Sequence, residues 1–197
     1  MPVDEPNQHL TITQATPAEW LEIAAILEDA QRWLRSRGIP QWTRSFDRAW
    51  IEPKIVAGEF YIARLQTHSV AVARLLQSDP LFWGDSPQRG RSSPPGWGRV
   101  REREVVHSAR GGKSDDGDAL YIHSLAVLRA YAGQGIGRQF LDWVADEARR
   151  SGRRFLRLDC TAGNRSLCAY YERAGFIPFE TVEVGHEAMM LFEKPIA

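Results

Sequence analysis

The segment from Leu120 to Arg138, LYIHSLAVLRAYAGQGIGR, constrains this chain more than any other part of it. An apolar, strand-like run from Leu120 to Val127 leads through a short loop to three alternating glycines, Gly133, Gly135 and Gly137. Ile136, Phe140, Leu141, Val144, Ala145 and Ala148 then recur at helical spacing. Glycine lets the backbone turn tightly and approach a ligand with no side chain between them. A helix start leaves amide donors without intrahelical acceptors and carries about half a positive charge. Together these features make a site for phosphate. The segment therefore reads as strand, anion-binding turn, helix.

Spacing narrows the kind of phosphate site. The dinucleotide pattern G-x-G-x-x-G fails, because its third glycine falls on Arg138 or Phe140. Gly112-Lys113-Ser114 imitates the end of a P-loop, but His107 occupies the position of its first glycine and no apolar helix follows. The remaining match is R/Q-x-x-G-x-G/A, with Gly135 and Gly137 at its glycines and Ala132 at its first position. On these residues the chain resembles the GNAT family of acetyl-CoA-dependent N-acetyltransferases. The main phosphate contacts in that family are backbone amides, so Ala132 is expected to weaken binding modestly. Arg129, Gln134 and Arg138 are the candidates to compensate.

At 197 residues the chain reads as one domain with room for a substantial core. Net charge is zero, which gives no support for a nucleic-acid partner. No apolar run is long enough to span a bilayer, and MPVDEPNQHL lacks a signal-peptide core, so a cytoplasmic protein without membrane association is expected. The two cysteines, Cys160 and Cys168, form no metal-site pattern and should stay reduced there. His9, His68, His107, His123 and His186 are scattered, so no metal is expected.

Residues 1–8 read as a flexible tail and 9–197 as the domain. Leu10 to Thr13 reads as a strand. Thr16, Pro17 and Glu19 open a helix in capping-box fashion that runs to about Arg37, where Gly38 and Pro40 stop it. A second helix is expected over about Phe46 to Ala57, with Pro53 bending it or delaying its start. Phe60–Leu65 and Val70–Leu76 read as paired strands turning near Thr67 and Ser69. The stretch from Gln77 to Asp118 is unusually long for a loop, and residues 84–118 read as a mobile insertion with a short strand over 99–107. It is a lid, a partner arm or a tolerated surface insertion. Beyond the glycine helix, Arg154–Cys160 reads as a strand and Asn164–Ala174 as a capped helix. Ile177–Val184 and Glu187–Glu193 form a closing pair.

That order matches the family's, and the likeness covers about Leu10 to Lys194, less the insertion. It implies an α/β (α+β) GNAT acyltransferase fold: a mixed central sheet of about six to seven strands, flanking helices and a splayed strand pair that holds acetyl-CoA. It implies carrier contacts from Leu125, Val127, Gln134, Gly135, Ile136, Gly137, Arg138 and Asn164. The amide of Val127 would stabilise the thioester oxygen. YYERAGF, Tyr170 to Phe176, resembles the family's Y-x-x-x-G-F element and puts Tyr171 at the general-acid tyrosine. YIHSLAV is similar to the H-x-H-x-L-A-V element of arylalkylamine N-acetyltransferases, with His123 at the second histidine and Tyr121 at the first. An unperturbed histidine titrates near pH 6.5, which suits proton abstraction. Simple alternation puts Tyr121, His123 and Leu125 on one face of the strand.

The first helices and their loop form one wall of the acceptor pocket in the family, which points to Trp33, Gln41 and Trp42. Trp83 and Tyr121 complete the expected pocket. No acidic cluster announces a polyamine or aminoglycoside site. The expected activity is transfer of acetyl from acetyl-CoA, without a metal, to a small-molecule primary amine by direct attack in a ternary complex. A protein N-terminal or lysine acetyltransferase and a non-catalytic acyl-CoA-binding module are the alternatives. The likeness is compatible with a homodimer.

Overall fold

The computed structural model describes residues 10–39, 41–83, 90–91, 117–184 and 187–196. The expected tail and most of the 84–118 insertion, including the strand over 99–107, lie outside these residues. In chain order the elements are β1 (Leu10–Gln14), α1 (Trp20–Ser36), α2 (Arg48–Val56), β2 (Phe60–Leu65), β3 (His68–Leu76), α3 (Pro80–Trp83) and β4 (Gly90–Arg91). There follow β5 (Ala119–Val127), α4 (Ile136–Arg150), β6 (Phe155–Thr161), α5 (Arg165–Arg173), β7 (Ile177–Val184) and β8 (Glu187–Pro195). Among the described residues seven strands have five residues or more and β4 has two, in a mixed sheet with flanking helices. No helix there is long and apolar enough to cross a membrane.

Local chemistry explains the boundaries. The Glu19 carboxylate accepts from the Thr16 amide at 2.6 Å and from its hydroxyl at 2.8 Å. This capping box opens with a 3-10 turn at Pro17–Glu19, and α1 proper starts one residue later. At the other end Gly38 takes φ +71° and donates to the Arg35 carbonyl at 3.0 Å. The second helix starts later than expected because Asp47 caps it, accepting from the Trp50 amide at 2.9 Å. Phe46 is thereby left before the helix, buried in the core. Pro53 stands inside α2. The β2–β3 turn is tighter than expected: Leu65 pairs with His68, so β3 starts two residues earlier.

The chain divides into two compact units, residues 1–76 with 122–151 and residues 77–121 with 152–197. In the first, β1, β2 and β3 pair antiparallel in sequence. α1 and α2 bury Ile23, Ile26, Leu27, Ile51 and Ile55 with Phe60, Ile62 and Val72 of the strands. In the second, β8 pairs antiparallel with both β6 and β7, and β4 joins the other edge of β7.

The second unit also buries a charge. Arg157 is 9% exposed, although it points to the opposite face of β6 from the buried Leu156 and Leu158, so both faces of the strand are covered there. Its Nε donates to Glu193 at 2.8 Å and one terminal nitrogen donates to the Tyr121 hydroxyl at 3.1 Å. Its guanidinium carbon lies 4.7 Å from the ring centroid of Trp83, which comes from α3. A buried cation is tolerated only when its donors and its charge are met together, and this one has a carboxylate, a phenol and an aromatic face.

Arg157→Ala is expected to lower unfolding free energy by about 3 kcal/mol or more, because Glu193 and the Tyr121 hydroxyl lose their partner at once. Lysine should not restore the loss, since one ammonium cannot reproduce the guanidinium fork. Urea melts of the three proteins decide it, and a loss below about 1 kcal/mol for the alanine variant would contradict this account.

Candidate active site

In the first unit the glycine turn forms as its composition demands. Gly133 takes φ +81° and Gly135 takes φ +77°. Gly135 is the N-cap of α4 and no side chain caps the helix there. The Gln139 amide donates to the Gly135 carbonyl at 3.0 Å. The amides of Ile136, Gly137 and Arg138 precede that bond, so they have no acceptor within the helix. A Cβ on Gly135 would meet only the side-chain Nε2 of Gln139, at 3.9 Å. Conformation rather than crowding therefore calls for glycine at this cap. The Ile136 side chain is buried, so it anchors the start of α4 in the core.

Three side chains were candidates to replace the charge missing at Ala132. Arg138 is held by Asp142 on its own helix, with both carboxylate oxygens at 3.0 Å. Gln134 reaches the Ala130 carbonyl at 3.5 Å. Arg129 lays its guanidinium 4.1 Å from the centroid of Trp33, while its backbone amide donates to Asp29 of α1 at 2.8 Å.

The strand before the turn departs from simple alternation. Ser124 takes φ +52°, a left-handed conformation in the middle of β5. Such a residue resets which face its successors occupy. His123 directly precedes it and is half-buried, as are Leu125 and Val127. Tyr121 and His123 both precede Ser124, so of the three residues expected on one face only Leu125 lies beyond the change. No glycine or proline marks the spot, so pattern reading had nothing to find. Leu128, just past the end of β5, donates to the Val70 carbonyl of β3 at 2.9 Å.

A second strained residue lies in the loop between α1 and α2. Trp42 takes φ +60°, which costs a bulky L-residue about 1–2 kcal/mol. Gln31 of α1 holds it there. Its side-chain amide donates to the Trp42 carbonyl and, at 2.7 Å, to the Arg44 carbonyl. The indole meets Phe46 edge-on at 5.8 Å between centroids. Trp33, Gln41 and Trp42 are all half-buried.

In the second unit, Asn164 caps α5 by accepting from the Leu167 amide at 3.2 Å. Tyr171 lies on the same helix, 6% exposed. Its ring meets Tyr170 at 5.5 Å, Phe176 at 5.8 Å and Phe192 at 5.8 Å. Burial first, then the nearby Cys160, Tyr170 and Asp159, holds its phenol well above the usual value of 10.0. The group is thus a neutral proton donor at physiological pH. Trp83 and Tyr121, also expected at the pocket, lie in the second unit. Both are fully buried around Arg157, with 1% and 0% exposure. Stacking and the hydrogen bond to Arg157 account for them as core.

The first unit thus holds a glycine-capped helix start after a strand, and the second a helix capped by Asn164 that carries the protonated Tyr171. The model of the Acetyltransferase (GNAT) family matches residues 27–176. The chain belongs to the GNAT acetyltransferase family. It is 29% identical over 181 residues to an uncharacterised N-acetyltransferase, YesJ, of Bacillus subtilis, covering 88% of this chain and 83% of the relative. A GNAT-family acetyltransferase from Streptococcus agalactiae superimposes with a TM-score of 0.72 at 15% identity, over 95% of this chain and 96% of the other. The Salmonella typhimurium protein yncA, solved with acetyl-CoA, superimposes with a TM-score of 0.58 at 16% identity, over 96% and 95%. The acetyltransferase shares with these two its fold.

Because burial raises the Tyr171 pKa, its contribution to stability is complete below the unfolded value near 10.0 and is lost as pH rises through the folded value. A difference absorbance titration of the acetyltransferase against Tyr171→Phe should show this phenol ionising above pH 10, late in alkaline unfolding. Ionisation at or below the ordinary value in the folded protein would contradict the buried placement.

Proposed function

We propose that this acetyltransferase moves the acetyl group of acetyl-CoA to a primary amine of a small molecule, by direct attack and without an acyl-enzyme. The observation that carries the donor assignment is Gly135 in a left-handed conformation at the start of α4, with the first-turn amides of Ile136, Gly137 and Arg138 behind it. These donors and the helix dipole suit a diphosphate, and need no side-chain charge at position 132. The yncA complex with acetyl-CoA supports the same donor. Bound there, the donor supplies an activated thioester.

The chain's own groups then have three tasks. The Val127 amide stabilises the thioester oxygen as charge develops, and the strained Ser124 is the kind of bulge that frees strand amides for such work. His123, next to that bulge, takes a proton from the incoming ammonium, because an ammonium has no lone pair with which to attack. Tyr171 gives its proton to the departing thiolate. Leu125, Gln134 and Asn164 line the carrier, Asn164 while capping α5. Trp33, Gln41 and Trp42 form the acceptor wall. The clamp from Gln31 supports this reading, since strain persists where surrounding structure over-determines it and such places cluster at functional sites. Protein N-terminal or lysine acetylation remains a distinct outcome of an acceptor screen that includes peptides.

Tyr171→Phe should reduce turnover by about 10²-fold while leaving acetyl-CoA binding near wild type, in line with general-acid catalysis. Free coenzyme A released with an amine panel reads this directly, and near-normal turnover removes Tyr171 from the mechanism. His123→Ala should lose most activity near neutral pH and recover in part at higher pH, where free amine is abundant. An equal loss at every pH would make His123 structural.

A further inference from the structure

The chain has two cysteines, and folding brings them together. Cys160 near the end of β6 and Cys168 in α5 are both free thiols and both buried, with 1% and 0% exposure. Their sulfurs lie 3.6 Å apart, in van der Waals contact. They stand eight positions apart, and the intervening turn, residues 162–164, carries the cap of α5. We propose that Cys160 and Cys168 are an oxidative modification site, a dithiol that a hydroperoxide converts reversibly to a disulfide.

The two thiols are not equivalent. Cys168 sits in the first turns of α5, whose amide ends favour a thiolate. The two sulfurs share a hydrogen bond in which either can donate, so one thiol is held down and the other up. Cys168, on the short helix with an exposed start, is assigned as the attacking sulfur and Cys160, on β6, as the resolving one. In the first step the Cys168 thiolate attacks one peroxide oxygen. An S–O bond forms, the O–O bond breaks and an alcohol, or water from hydrogen peroxide, leaves with a proton. In the second step Cys160 sulfur attacks Cys168 sulfur. The S–S bond forms, the S–O bond breaks and water departs. Two thiols and one hydroperoxide give one disulfide, one alcohol and one water, a balanced two-electron oxidation.

Access comes from the helix itself. α5 has nine residues, too few to be stable alone, and Gly163, Arg165 and Ser166 around its start are exposed. Brief opening of such a short element admits a small oxidant. The consequence follows from position. Cys168 lies four residues after Asn164 and three before Tyr171, on one helix. A disulfide must draw its sulfurs from 3.6 Å to bond length, about 1.5 Å closer, which shifts that helix against β6. If Tyr171 serves as proposed above, oxidation lowers turnover.

The test treats the full-length protein with excess hydrogen peroxide, denatures it, alkylates free thiols and maps peptides by mass without reductant. The expected result is a cross-linked Cys160–Cys168 peptide two hydrogens lighter, absent in Cys160→Ala and in Cys168→Ala, and reversed by dithiothreitol. Acetyl transfer should fall about tenfold or more in the wild type, recover on reduction and be spared in Cys160→Ala. Two alkylatable thiols after treatment, or irreversible higher oxides without a cross-link, overturn the proposal. The cross-link is read without any activity assay, so it stands or falls apart from the acetyl-transfer reading.

Discussion

A helix that begins on a left-handed residue is the constraint from which the candidate site follows. Gly135 at φ +77° brings the chain into α4 without a capping side chain, so the first amides of that helix are offered outward. Only glycine adopts this conformation without strain, and only a residue without a side chain keeps the approach open. The rest of the first unit serves that geometry. β5 delivers the chain to the turn, Asp29 of α1 ties down the Arg129 amide, and Phe140, Leu141 and Val144 bury the helix behind it.

Besides Gln66 in the β2–β3 turn, two non-glycine residues of the first unit take left-handed conformations, Ser124 in β5 and Trp42 in the α1–α2 loop. Neither conformation is favoured locally. Trp42 is held by the Gln31 side chain and by edge contact with Phe46, so its strain is maintained by neighbours eleven positions back and four ahead. Non-glycine residues in this region are uncommon and concentrate where function needs a particular backbone path. In the second unit the corresponding investment is burial. Tyr171 is packed among aromatic rings that keep it protonated, and Arg157 is enclosed with Glu193, Tyr121 and Trp83.

How legible this was in the sequence depended on the range of the interaction. The helix α4, the capping box at Thr16–Glu19, the asparagine cap of α5 and the closing pair β7–β8 all rest on periodicity or on side chains within four residues, and each was read to within a residue or two. The start of α2 was misplaced because Asp47, a better cap than anything at Phe46, was passed over. The left-handed turn of Ser124 left no trace in composition, since serine is ordinary in a strand. The burial of Trp83 and Tyr121 was not legible, because aromatics near an opening and aromatics in a core look alike in sequence. What separates them is Arg157, 36 residues from Tyr121 and further from Trp83, and no local pattern reports a partner at that distance.

The most direct test of the central claim is calorimetric titration of acetyl-CoA into the wild type and into Gly135→Val, each shown to be folded by circular dichroism. The account predicts clear binding to the wild type and a loss of about tenfold or more in the valine variant, since a branched side chain there both strains the cap and obstructs the amides. Equal affinity in the two folded proteins, or no uptake of acetyl-CoA by the wild type, would contradict it.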